Sequence, residues 1–459
     1  MSLSFLLLAV AALCVLSFYF GRQRAIALSG GRYSNLHSLP THYGMYVALW
    51  CGLPALLLLV VWYMFQGSII EAMIIADLPA EITGDPGKLS LALNSISLIA
   101  EGGGQHLTVS PEVVDAGRRL ARLHTIANAA LIVVMLASAS VGIMLSYRKI
   151  DPEMRARNNV ERISRWIMIA CSAIAILSTV GIVFSLLFEA LHFFSKISPL
   201  EFLFGLEWSP QTAIRADQVA SDGAFGAIPL FVGTLLITLI AMAVAVPVGL
   251  FSAIYMGEYA SSKFRSVAKP ALEILAGVPT VVYGFFAALT VAPFLRDNGA
   301  IIGLDVSSES ALAAGLVMGV MIIPFVSSLS DDVMSQVPQS LRDGSYGLGA
   351  TKSETIRHVI FPAALPGIVG AVLLAVSRAI GETMIVVMAA GLAANLTVNP
   401  LQAVTTVTVQ IVTLLVGDQE FNSAKTLSAF ALGLVLFLVT LGLNVFALKV
   451  VQKYREKYD

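Results

Sequence analysis

Nine stretches of this chain stay apolar over the length a helix needs to cross a bilayer, and that pattern decides most of what the chain can become. They lie near residues 2–20, 45–65, 124–146, 167–193, 227–251, 271–295, 308–330, 366–392 and 426–448. A helix rising 1.5 Å per residue must cover about 30 Å of hydrocarbon, which takes roughly 17 to 25 apolar residues. Lipid offers no partner to a backbone N–H or C=O, so such segments satisfy themselves as helices. The expected fold is an all-α polytopic membrane protein with about nine transmembrane helices. Of the 459 residues, 57% are hydrophobic and only 12% charged, too few charges to cover a soluble surface of that size. The first stretch has no Lys or Arg before it and carries Arg22 and Arg24 behind it. It is therefore expected to remain attached rather than be cleaved as a signal peptide.

Charge asymmetry sets the expected orientation. Segments 21–44, 147–166, 252–270 and 331–365 and the tail from Lys449 hold 3, 6, 3, 3 and 4 Lys or Arg, 19 together. The alternate segments 66–123, 194–226, 296–307 and 393–425 hold 4, 2, 1 and 1, a total of 8. The positive-inside bias then places the first set in the cytoplasm, with the N-terminus out and the C-terminus in. The basic stretch 148–166 reads as a cytoplasmic linker between an N-terminal extension, 1–147, and a six-helix portion, 167–459. Within the extension, 66–123 forms an extracytoplasmic segment interrupted by Gly102-Gly103-Gly104, with Pro111 to Leu123 suited to a short amphipathic helix.

Several function classes fall away. With 28 basic against 29 acidic residues and no dense basic run, nothing tracks a nucleic-acid backbone. Cys14, Cys51 and Cys171 sit singly in apolar runs, which points to neither a disulfide framework nor a zinc site. The histidines His37, His42, His106, His124, His192 and His358 show no metal-ligand spacing. No nucleophile and base constellation suggests an enzyme.

One connector is different. The segment 337–367 reads as helix, turn, helix: Pro338 suits a first turn, Gly347 and Gly349 break the helix, and Thr351 with Glu354 makes a capping box for a second one. Pro362 and Pro366 are expected to end that second helix. The run from Gly347 to Ser353 lacks the glycine that a phosphate-binding loop places before Lys-Ser, and Thr351 stands there instead. Any ATP that drives this chain, with its Mg, must be bound by another polypeptide, and no cofactor is expected here.

The other outlier is a charge pair inside the eighth stretch. Arg378 and Glu382, four residues apart, would share one face of a continuous helix. An arginine at mid-membrane costs roughly 2.5–3.5 kcal/mol on insertion scales, so it normally faces a cavity or a partner. Its planar fork suits a bidentate oxyanion. Two readings stay open: the pair contacts substrate, or the two neutralise one another and lock helices. Thr383 and Ser377 add hydroxyls that serve either substrate or their own backbone. Glu273 and Glu189 lie near span ends, where water or headgroups satisfy them. Gly277 and Pro279 are expected to kink or loosen the sixth span.

The connector resembles the EAA loop of bacterial ABC importer permeases, E-A-A, three residues, G, nine residues, I-x-L-P. Asp343, Gly344 and Ser345 occupy the E-A-A places, Gly349 the glycine, Val359 the isoleucine and Phe361-Pro362 the final Leu-Pro. Leu272 to Phe286 (LEILAGVPTVVYGFF) and Ser377 to Thr383 (SRAIGET) make the chain similar to permeases of the phosphate-specific transport (Pst) system, PstC type, in a long form with an N-terminal extension. The resemblance implies a type I importer permease core and a place in the bacterial inner membrane. It further implies a PstA-type permease partner, a PstB-type ATPase dimer and a periplasmic phosphate-binding protein. It implies that Arg378, Glu382 and Thr383 touch phosphate, and that Asp343, Gly344, Ser345, Gly349 and Pro362 belong to the segment coupled to the ATPase. A permease for sulfate or phosphonate, and an ion-coupled secondary anion transporter, are the competing expectations.

Overall fold

A computed structural model of the chain describes residues 3–30, 32–100, 102–103, 110–210, 223–416 and 423–454. Among them are eight helices long and apolar enough to cross a membrane, and a ninth crossing if a pair bent by 86° counts as one. The chain divides into two compact units, Met1–Ile176 and Leu177–Asp459.

The first unit is built on α1 (Leu3–Leu28), α2 (Pro40–Asp77) and α4 (Pro111–Arg148), with α3 (Pro86–Ala100) packed beside α4. Small residues let the backbones close up: a Cβ at Gly142 would collide with the Trp50 carbonyl, and one at Gly44 with Phe18. Leu131, Met135 and Ala139 of α4 fill the seam with Cys51 and Ala55 of α2. The Cys14 thiol meets that of Cys51 across the α1 and α2 interface. A second cluster, Ile70, Ile74, Ile96 and Val113, joins the far ends of α2, α3 and α4. The expected short helix at Pro111 to Leu123 is instead the first third of α4, because no breaker separates it from the apolar run beyond Leu123. Gly104 and His106 of the expected extracytoplasmic segment lie outside the described residues. Helix α5 (Ala156–Phe194) carries the division between the units within its length.

In the second unit, α6 (Ile228–Ile254) and α9 (Ala311–Ser335) pack at close range. Gly315 and Gly319 of α9 sit against Ile240 and Val244, while Gly249 of α6 sits against Val326. An aromatic cluster of Phe193, Phe202, Trp208 and Phe225 gathers where two short antiparallel strands, Trp208–Ser209 and Ala224–Phe225, pair Trp208 with Phe225. Its Trp208 Nε1 donates at 3.0 Å to Oε1 of Gln410, on α13 (Val407–Leu415). Helix α14 (Ala424–Tyr454) closes the unit.

Three expectations need correction. The sixth stretch is not one span: α7 (Ser262–Ala276) and α8 (Thr280–Ile301) meet at 86°. Pro279 forbids the helical bond there, so the two residues expected to kink the helix break it. Pro362 and Pro366 do not end a helix. The chain runs as α11 (Lys352–Ile380) through both, with a π turn at Ile356–Ile360 placing the Phe361 N–H on the Ile356 carbonyl. That wider turn gives the Pro362 ring room. At the other end, α11 stops at Ile380 rather than continuing to 392, and α12 (Met384–Ala389) starts anew.

Candidate functional site

Where α11 stops, it leaves Arg378 in its last turn. The guanidinium lies over the Phe325 ring, 5.4 Å from its centre, and Phe325 is near the middle of α9. Cation and aromatic face attract one another at this distance. The broken helix thus delivers a permanent positive charge halfway along a buried neighbour. Arg378 opens on a cavity of about 230 Å³ whose walls come from α7, α9 and α11, with Met256 of the turn that follows α6. Lys269 and Glu273 of α7 and Ser327, Ser328 and Asp331 of α9 share that lining.

The cavity floor is an ion network. Asp331 is buried, with 3% of its side chain exposed. It accepts from Arg265 Nη2 on both oxygens, at 3.0 and 2.9 Å, and from Lys269 Nζ at 2.9 Å. A buried carboxylate is tolerable only when so paired. Lys269 also reaches Asp332 at 3.5 Å. No residue of α7 is buried, so these ion pairs do much to hold its charged face to α9.

Glu382 does not share a helical face with Arg378. The helix ends between them, and Glu382 Oε1 turns to accept from the backbone N–H groups of Met384 and Ile385, at 3.1 and 3.4 Å, at the start of α12. Among the described ion pairs none joins the two. Thr383 Oγ1 donates to the Gly381 carbonyl at 3.4 Å, and Ser377 is half-buried on α11. Glu273, exposed on α7, lines the arginine's cavity, and Glu189 lies half-buried on α5. In the sequence Lys269 and Asp331 read only as loop charges and Ser327 as one residue of a span, because only the break at Pro279 folds α7 against α9.

The connector forms as expected in its first half. Helix α10 (Gln339–Gly347) begins after Pro338, which is its cap rather than its first turn. Gly349 at φ +85° lets Ala350 N–H reach the Ser345 carbonyl and Gly349 N–H the Tyr346 carbonyl. That closure needs a left-handed residue, which glycine adopts without strain. The Thr351 and Glu354 capping box is present at the start of α11. Asp343 is exposed and accepts from Gln339 at 2.9 Å, Gly344 is open to solvent, Ser345 Oγ meets Thr355 Oγ1 at 2.9 Å, and Pro362 is exposed on α11. Arg342 anchors the helix inward, pairing with Glu258 and donating to the Met334 carbonyl at 2.8 Å. A cavity of about 270 Å³ lies beneath, and Asp331 lines it as well. Outward, Leu348 is 92% exposed, an apolar tip on a fixed helix.

Comparison with known proteins gives this geometry its context. Residues 7–178 match a family described as a phosphate ATP-binding cassette transporter, and residues 245–456 match the binding-protein-dependent transport system inner membrane component. A probable ABC transporter permease of Bacillus subtilis, YqgH, is 36% identical over 60% of this chain and 86% of its own. The phosphate transport system permease protein PstC 1 of Mycobacterium bovis is 34% identical over 56% of this chain and 83% of its own. PstC of Haemophilus influenzae is 36% identical over 47% of this chain and 72% of its own. Among solved structures, the inward-facing MetNI methionine ABC transporter aligns at 18% identity and a TM-score of 0.37, over 50% of this chain and 95% of that one. A likeness that loose leaves the sequence relatives to define the family.

Proposed function

The chain belongs to the PstC family of ABC transporter permeases, and from that premise we propose that it forms part of the transmembrane path of an ATP-driven phosphate importer, with Arg378 receiving the anion. The carrying observation is the arginine itself, exposed at the end of a helix that stops at Ile380 and opening on a cavity. Discontinuous helices line transporter sites because irregular backbone is tolerable only around a cavity. Phosphate carries one to two negative charges, and an inside-negative potential opposes each by about 2.3 kcal/mol per 100 mV. An open pore would therefore leak the anion outward, and inward transport needs an energy source.

That source is proposed to be a PstB-type ATPase dimer, which would bind ATP and Mg and press on α10 through the Leu348 tip and its exposed neighbours. A PstA-type permease would complete the path, and a periplasmic binding protein would deliver phosphate. The orientation with N-terminus out and C-terminus in rests on the 19 to 8 distribution of basic residues. Residues 1–147 are proposed as an extension to the six-helix permease portion, 167–459.

Reconstituted complex should take up labelled phosphate with ATP, and Arg378→Gln should reduce uptake at least tenfold, roughly the loss of one charge-assisted hydrogen bond. Uptake of sulfate in preference to phosphate would move the proposal to another oxyanion. Ion-gradient-driven uptake by this chain alone would replace it with a secondary transporter.

A further inference from the structure

We propose that Lys269 and Ser327 complete an oxyanion subsite with Arg378, and that Asp331 is the counter-ion from which the anion takes over Lys269. This rests on the reading of the cavity as part of an anion path, and it assigns residues that neither the connector motif nor the arginine motif contains.

The first observation is an orphan. Ser327 is 1% exposed and lines the cavity, yet its Oγ has no hydrogen-bond partner. A buried hydroxyl left unpaired is unfavourable, and an oxyanion oxygen beside it would accept its proton. The second observation is the company it keeps. Two cations from different helices, Arg378 and Lys269, line the same cavity of about 230 Å³. A water's share of liquid volume is about 30 Å³, so the space holds a tetrahedral oxyanion with several waters.

Two carboxylates, Glu273 and Asp331, also face the cavity, and they decide how it must work. If Lys269 were the sole partner of Asp331, releasing it would strand a buried charge. It is not the sole partner. Arg265 already engages both Asp331 oxygens, at 3.0 and 2.9 Å. Asp331 therefore stays paired when Lys269 turns to an incoming anion, and the exchange swaps one charge-assisted bond for another. Glu273 is exposed on α7 and makes none of the described ion pairs. It discourages an anion from resting there, which favours release over capture.

Asp331 lines both this cavity and the one beneath α10. Its changing partner is thus placed where movement of the coupling segment is felt, and one wall residue serves both compartments.

The test uses the assembled transporter with Cys14, Cys51 and Cys171 replaced by alanine and Glu273→Cys introduced as a reporter thiol in the cavity wall. Inorganic phosphate should slow modification of that thiol by a small charged reagent. Adding Lys269→Gln or Ser327→Ala should raise the protecting phosphate concentration, by about tenfold for the lysine since a charge-assisted bond is lost. Lys269→Arg should restore protection. Protection at the same concentration in all these backgrounds overturns the subsite, as does complete absence of protection with the native lysine and serine in place. Sulfate is run in parallel: protection by sulfate alone that still depends on Lys269 and Ser327 supports the subsite while removing phosphate as the cargo.

Discussion

The two units solve the same problem, crossing lipid, with opposite backbones. In the first, α1, α2 and α4 run for 26, 38 and 38 residues without a break, held by glycine contacts and aliphatic seams. Its Arg119 and Asp77 pair is about half exposed. In the second, the helical path is interrupted: π turns at Tyr255–Tyr259, Ala287–Val291 and Ile356–Ile360, an 86° corner after Gly277, and a stop at Gly381. Its ionic centre, Asp331, is buried. Regular helix is the least costly way through hydrocarbon, so departures from it mark where the chain must make room for something polar. On the proposed function, the contrast separates a framework from a path.

The strongest way to break that comparison is to neutralise its ionic centre. Asp331→Leu leaves Arg265 and Lys269 without their buried partner and should cost about 2–4 kcal/mol, below the upper range for a fully buried pair because both cations are partly exposed. Arg119→Ala in the first unit should cost about 0–1 kcal/mol. Thermal unfolding of the purified complex measures both, and equal shifts would erase the distinction.

Next in size, Leu348→Asp should reduce substrate-stimulated ATPase activity about tenfold or more by charging the apolar tip of the connector, as for loss of a central interface anchor. The chain should still insert and assemble, which co-purification with the ATPase in detergent would check separately from turnover.

Gly142→Leu sharpens the framework half of the comparison. The new side chain meets the Trp50 backbone and should lower the stability of the first unit by about 1–3 kcal/mol. Phosphate uptake per assembled complex should be unchanged, and a fall in uptake matching Arg378→Gln would place the extension within the path.

The smallest effect is expected at Glu382. Its carboxylate accepts from two backbone N–H groups, and Glu382→Gln keeps an acceptor there, so stability should change by about 1 kcal/mol or less. Phosphate uptake should fall far less than with Arg378→Gln. An equal loss in the two variants would return Glu382 to the substrate contacts implied by the family resemblance.

Much of this was legible beforehand. Eight of the nine apolar stretches became long helices, since a run of about 20 apolar residues has one stable answer in lipid. The turn at Gly349 and the cap at Thr351 were equally readable, because both are local backbone chemistry. The errors came where a local rule met a longer-range choice. Pro362 and Pro366 are breakers in isolation, but α11 continues through both, with a π turn just before Pro362. Arg378 and Glu382 have helical spacing, but the chain stops being helical between them. Lys269 is 58 positions from Ser327 and 62 from Asp331, and no pattern in the sequence joins them.

Composition and periodicity by themselves determined that this chain is a helical membrane protein, where most of its crossings fall, and which connector carries a helix, turn and cap of its own. Those are properties of short segments and their solvent. Only the folded unit decided that the sixth stretch breaks at Pro279, that α11 stops at Ile380 inside its apolar stretch, and that Lys269 and the unpartnered Ser327 line the same cavity as Arg378. A site is a distance between side chains, and distances between helices are set by packing.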